Sequence, residues 1–215
     1  MKEVCMFKDR FEAGEKLAGA LSEYKNRKDV LILAIPRGAL QIGEVLHREL
    51  GAPLDVILTK KIPHPMSDEY GIGAVGLGGE YFVDPSAVEG ISAEYIEGQR
   101  ERLAKLLEER YAKYHGEWKF PSLKGKTVIL VDDGVATGST MLAAIHVVRK
   151  MGAKRIVAAV PVSPPEPLIR IKEEADEVVC LLSTAEFYAI GQFYREFPQL
   201  EDGEAIEILK KCREK

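Results

Sequence analysis

The chain has 215 residues, a formal net charge of -4, 46% hydrophobic residues and 30% charged ones, which suits a globular protein with one substantial core. No apolar run approaches the roughly 20 residues that a membrane helix needs, and the charged segment 1–10 lacks the apolar centre of a secretory signal, so a cytoplasmic protein without membrane contact is expected. The slight acidic excess disfavours nucleic acid as a partner, since phosphate backbones select for a basic face, but it leaves room for a small anionic ligand held by a local cluster.

Asp9, with Glu12 three residues later, marks a helix start, and Phe11, Leu17, Leu21 and Tyr24 recur at helical spacing to about residue 25. Residues 30–35 form an apolar, branched run that stops at Pro36-Arg37-Gly38, which predicts a strand buried on both faces. A helix over 39–50, ended by Gly51, and a strand over 54–59 come next. Pro63, Pro65 and several glycines fill 60–80, so this stretch is expected to be mobile, with one short strand at 72–77 that Gly78-Gly79 turns back into 81–83 as a hairpin. Ser92 opens a helix to about 114, with Ile96, Leu103, Leu106, Leu107 and Tyr111 as its buried stripe.

The second half alternates more plainly. Residues 127–132 predict a strand, 139–151 a helix ended by Gly152, and 155–162 a further strand. Pro164, Pro165 and Pro167 begin a helix to about 175, 177–182 is a last buried strand, and Asp202 or Gly203 starts a terminal helix to about 212. Strands alternating with helices predict an α/β fold with a parallel sheet covered by helices on both faces and a ligand at the carboxyl ends of the strands. Cys5, Cys180 and Cys212 form no C-x-x-C pair, and His47, His64, His115 and His146 show no metal-ligand spacing, so free thiols and surface or packing histidines are expected.

The informative stretch is 128–140, Val-Ile-Leu-Val-Asp-Asp-Gly-Val-Ala-Thr-Gly-Ser-Thr. Four apolar residues make a buried strand, and Asp132 and Asp133 stand at its carboxyl end. The following turn opens a helix, whose unpaired N–H groups and positive dipole end favour an anion. Two adjacent carboxylates raise each other's pKa and need ligands, for which sugar hydroxyls or a hydrated cation are the natural partners. Together these features describe a site for a phosphorylated sugar; the plain alternative is a strand end with two solvated acids.

These thirteen residues resemble the phosphoribosyl-diphosphate signature of the type I phosphoribosyltransferases, and the whole chain looks most like a poorly characterised subgroup of predicted members. The resemblance implies a Rossmann-like single domain over 1–215, with a mobile loop, hairpin and helix insertion over 63–120 and a C-terminal hood over 183–215. It implies that Asp132 and Asp133 contact the ribose hydroxyls and that Ala136, Thr137, Gly138, Ser139 and Thr140 wrap the 5-phosphate. Some members carry a proposed base in the place of Ala136, which this chain lacks.

Pro36-Arg37-Gly38-Ala39 occupies the place of the family's pyrophosphate loop, where Arg37 offers a fork of donors and Gly38 allows close backbone approach. Several members have a non-proline cis peptide there, so one is expected between Pro36 and Arg37. Lys60 and Lys61 correspond to basic residues that reach the pyrophosphate, and Phe187 and Tyr188 stand where a hood could stack on the acceptor. The implied activity is transfer of the phosphoribosyl group to a nucleobase-like acceptor with release of pyrophosphate. Asp132, Asp133, Arg37, Lys60 and Lys61 would do the catalytic work, and Mg2+ would be held mainly by substrate and water. The implied partners are phosphoribosyl diphosphate and a small-molecule acceptor, with a homodimer left open. A sensor that binds the same compound without turnover is the second reading.

Overall fold

The computed structural model describes residues 7–116 and 119–213, with Glu69 described at its backbone. Its centre is a five-stranded parallel sheet in the order β2-β1-β6-β7-β8, built from β1 (Val30–Ala34), β2 (Leu54–Val56), β6 (Thr127–Val131), β7 (Arg155–Ser163) and β8 (Glu177–Ser183). Alternate residues of a strand face opposite ways. Accordingly Val30, Ile32 and Ala34 join one core with helices α1 (Arg10–Ala20), α2 (Ala39–Leu50) and α6 (Asp202–Arg213), whereas Leu31 and Leu33 join another with α4 (Ser139–Lys150) and α5 (Pro165–Glu174). The expected parallel sheet with helices on both faces is present.

The first helix is capped as expected, Asp9 Oδ1 accepting from Glu12 N at 2.9 Å, but it ends at Ala20 and a short 3-10 turn carries Tyr24 into the core. Phe11, expected on its buried stripe, is 41% exposed. The strand expected over 54–59 stops at Val56: Ile57 N makes a last bond to the parallel sheet, donating to Ala34 O at 3.0 Å, and from Thr59 the chain pairs in a second sheet. That second sheet is antiparallel, β3-β4-β5, made of β3 (Thr59–His64), β4 (Ser67–Gly76) and β5 (Tyr81–Val83).

The single short strand expected at 72–77 is part of a longer one: β3 pairs along β4, which buries Ile62, Ile72 and Val75 beside α3 (Ala93–His115). Gly73 allows the close packing of β5, since a Cβ there would lie 2.1 Å from Phe82 O. On α3, Leu103, Leu107 and Tyr111 are buried as expected, but Leu106 turns out at 42% exposure. It lies on the flank of the stripe, one residue off the line that faces the sheet.

Among the described residues no helix is long and apolar enough to cross a membrane. Cys5 lies outside the described residues.

Candidate active site

The carboxyl ends of β1 and β6 meet in one place, as their direct pairing requires. After β1 the chain turns through Pro36-Arg37-Gly38 into α2, and the Pro36–Arg37 peptide is cis, as expected. After β6 it passes Asp132 and Asp133 and turns through 134–138 into α4. The two turns touch: a Cβ on Gly38 would lie 2.1 Å from Asp133 Oδ2, so only glycine fits there.

The second turn is open toward solvent. The N–H groups of Ala136, Thr137 and Gly138 donate to no protein acceptor among the described residues, and the Ser139 N–H reaches only Thr137 Oγ1, at 3.4 Å. Gly138 holds the turn with a φ of 80°, a conformation that a side chain resists. Arg170 donates to Thr137 O from α5 and fixes the back of the loop. Free N–H groups at the start of a twelve-residue helix are a donor set, with the positive dipole end behind it, that favours an anion.

The two acids do not share one environment. Asp133 Oδ2 accepts from Arg10 Nε at 2.8 Å, and the two side chains are 13% and 5% exposed. Arg10 also donates through Nη1 to Pro198 O at 2.7 Å and lies 3.8 Å over the Phe197 ring. Phe197 stacks on Tyr194, whose hydroxyl donates to Asp133 O at 2.7 Å. Among the described residues Asp132 accepts only from the neighbouring Asp133 N, at 2.8 Å. Burial and the charge of Asp133 push the Asp132 carboxyl well above the usual range. Burial raises Asp133 as well, but the Arg10 guanidinium opposes that.

The remaining expected residues are scattered more widely. Arg37 Nη1 lies 3.2 Å from Asp202 Oδ1, at the start of α6, so its guanidinium is engaged by the terminal helix. Lys60 and Lys61 are neighbours on β3 and therefore point to opposite sides of the sheet. Lys61 lines a groove of about 880 Å³ that runs along α4 from Ser139 past Leu142 and His146. Phe187 packs on Phe193 at 5.3 Å between ring centroids, whereas Tyr188 is 93% exposed. The loop that carries Tyr188 is braced by Gln192, whose Oε1 accepts from Tyr188 N at 2.8 Å. Ile190 closes it over Gly134, where a Cβ would lie 2.6 Å from Ile190 Cγ2.

Sequence reasoning missed Arg10. An arginine in the first turn of an amphipathic helix reads as surface charge, and nothing local shows that it points inward. Tyr194 and Phe197 were missed for the same reason, since only the return of the C-terminal segment to the sheet makes them neighbours of the acids.

Residues 6–196 match the model of the family described as "Phosphoribosyl transferase domain". A Mycobacterium tuberculosis (strain H37Rv) protein named "Putative phosphoribosyl transferase Rv0571c" is 36% identical over 210 residues, covering 96% of this chain and 47% of its own. The chain thus spans about half the length of that relative. The crystal structure of the protein TT1426 from Thermus thermophilus superposes with a TM-score of 0.87 at 38% identity, covering 96% of this chain and 98% of the other. An adenine phosphoribosyltransferase from Chelativorans sp. is 44% identical over 54 residues, 25% of this chain and 30% of its own. With its parallel sheet, its acid-tipped third strand in the sheet order and its matched span, this chain belongs to the phosphoribosyl transferase family.

Proposed function

We propose that the protein binds 5-phosphoribosyl-1-diphosphate and transfers its phosphoribosyl group to a nucleobase-like acceptor with release of pyrophosphate. The observation that carries this reading is the open turn after β6, where unpaired N–H groups, a helix start and the half-buried Asp132 stand side by side. The 5-phosphate would sit on Ala136, Thr137, Gly138, Ser139 and Thr140. Asp132 would accept from the ribose hydroxyls, which fixes the sugar so that its C1 is held in line between leaving group and acceptor. The diphosphate would lie toward Gly38, within reach of the backbone of the first turn and of Arg37.

Displacement at C1 builds positive charge on the sugar and negative charge on pyrophosphate, so charge placement is the main task of the residues. Asp132 and Asp133 favour the first charge, and Arg37 and Lys61 favour the second. Around Gly38 stand backbone, the Arg10 guanidinium and the Asp133 carboxylate, whose Oδ2 is already taken by Arg10 Nε at 2.8 Å, so this turn offers a metal ion no free acid of its own. Mg2+ would accordingly be held by diphosphate oxygens and water, and it would neutralise part of the leaving group's charge. Motion of the β3–β4 hairpin would bring Lys61 toward the diphosphate and exclude water. Of the two hood aromatics, Tyr188 is the one with a ring free to stack on an acceptor, because Phe187 is committed to Phe193.

A non-catalytic sensor of the same compound is the second reading, favoured by the engagement of Arg37 with Asp202 rather than with the pyrophosphate turn. One experiment separates the two. Nucleobases are screened with phosphoribosyl diphosphate and magnesium while pyrophosphate release is recorded and binding is followed by calorimetry. Release with one acceptor supports transfer, binding without release for any acceptor supports the sensor, and no binding rejects both.

A further inference from the structure

Asp133 is wedged between three parts of the chain that are far apart in sequence. Arg10 comes from the first turn of α1, 123 residues away, and donates to Asp133 Oδ2 at 2.8 Å. Gly38 leaves the space the carboxylate occupies, for a side chain there would also come 2.8 Å from Arg10 Nε. The hood supplies Phe197 under the guanidinium, Pro198 O as its second acceptor and the Tyr194 hydroxyl on the Asp133 carbonyl. The charged and titratable groups facing Asp133 are therefore Arg10 from α1, Asp132 from the end of β6 and Tyr194 from the hood.

The buried guanidinium thus has its Nε, its Nη1 and one face engaged. Removing either member of such an ion pair leaves the other charge uncompensated. We propose that Arg10 is a positioning residue: it locks the Asp133 carboxylate against Gly38 and the hood, leaving Asp132 as the acid that meets the ribose hydroxyls. This rests on the phosphoribosyl-diphosphate reading above.

The consequence is a division of labour between two adjacent acids. Asp133, paired with a fixed cation, stays ionised and holds the pyrophosphate turn, the sugar site and the hood in register. Asp132 pairs with no cation among the described residues and takes up the proton of the pair when ligand is absent. Without Arg10 the two carboxylates compete for one proton on equal terms, and Asp132 no longer has a defined role.

The test compares the wild type with Arg10→Met, Arg10→Lys and Arg10→Met combined with Asp133→Asn. The carboxyl carbons of 13C-labelled aspartate are titrated without ligand, and affinity for phosphoribosyl diphosphate with magnesium is measured at about pH 6 and about pH 8.5. In the wild type Asp133 should stay ionised where Asp132 is protonated. Arg10→Met should raise the Asp133 titration and weaken binding at least about tenfold at the lower pH, with recovery at the higher pH. The double variant should regain most of that loss, because Asp132 then has no second carboxylate to compete with for the proton.

If Arg10→Met does not fold, Arg10→Lys decides. It should titrate like the wild type while amide exchange across 193–198 speeds up. Arg10→Lys that shifts Asp133 upward, Arg10→Met with an unchanged titration and pH profile, or a wild type in which Asp133 takes the first proton overturns the proposal. A wild type that titrates as expected and binds no phosphoribosyl diphosphate rejects the ligand reading and leaves the Arg10 lock standing.

Discussion

At the scale of single residues, Asp132 is the group whose chemistry shows most directly in a pH series. Its carboxyl titrates above the usual range because it is buried beside another acid, so in the free protein it is neutral below that raised value and charged above it. Ribose hydroxyls need the charged acceptor, and affinity for phosphoribosyl diphosphate should fall as pH falls through the raised value. Asp132→Asn should flatten that dependence and weaken binding by about 100-fold, the loss of two hydrogen bonds to a charged acceptor at about 1.5 kcal/mol each, as read by calorimetry. The sign for folding is the opposite. A carboxyl with a raised folded pKa stabilises below its unfolded value and loses that contribution as pH rises, so Asp132→Asn should unfold at an equal or higher urea concentration than the wild type at neutral pH. Gly38 gives a second residue test: its Cβ would lie 2.1 Å from Asp133 Oδ2, and Gly38→Ala should cost about 1–3 kcal/mol in urea unfolding. Gly19, inside α1 with nothing within 4 Å of its Cβ position, is the control, and alanine there should be neutral or stabilise by roughly 0.5–1 kcal/mol.

At the scale of elements, the attachment of α3 to the sheet edge rests on a buried polar contact as well as on apolar packing. Asp55, in the middle of β2, accepts from Tyr111 Oη at 3.0 Å and lies 2.8 Å from His115 Nε2, and Arg213 of α6 reaches the same nitrogen at 3.2 Å. One acid thus ties together the edge strand, the inserted helix and the terminal helix. Burial pushes Asp55 up to about 6. Its folded value is above its unfolded one, so its stabilising contribution is present at low pH and is lost as pH rises toward and through about 6. Asp55→Asn removes that dependence. The stability of the wild type relative to Asp55→Asn should therefore fall by on the order of 3 kcal/mol between about pH 4 and about pH 8, and a difference in urea midpoint that is the same at both pH values would refute the assignment.

At the scale of the whole molecule, the start of the described chain is sewn to residues 193–196, beside Asp133. Phe7 N donates to Phe193 O at 3.0 Å, Arg195 N to Phe7 O at 3.0 Å and Glu196 N to Lys8 O at 2.9 Å, so the entry to α1 and the hood pair like two parallel strands. The Phe7 ring is 1% exposed and packs 5.3 Å from Tyr194, the residue that bonds Asp133 O. Residues 193–197, the acid pair and the first helix are therefore joined by direct contacts, and loosening the N-terminal segment should be felt at Asp133. Phe7→Ala should lower stability by about 3–5 kcal/mol and speed amide exchange of residues 193–197 more than that of β6 or β7. Uniform acceleration across the sheet would show instead that the hood has no local coupling to Phe7.

The parallel sheet, its flanking helices and the open turn that leads from β6 into a helix were legible because their signals are local. A run of four apolar residues, two acids and a glycine turn before a helix carry their meaning within thirteen positions. The cis Pro36–Arg37 bond was likewise expected from resemblance in one short turn. What tertiary structure decided are the partners, since partnership depends on contacts between segments distant in sequence. The sequence could not show that Arg10 would engage Asp133, that Phe187 would pack half-buried on Phe193 while Tyr188 turns to solvent, or that Lys60 and Lys61 would be parted by the pleat of a strand. Glycine and proline in 60–80 read as looseness because they lower local propensity, yet pairing of β3 with β4 and β5 buries Ile62, Ile72 and Val75 and outweighs that propensity.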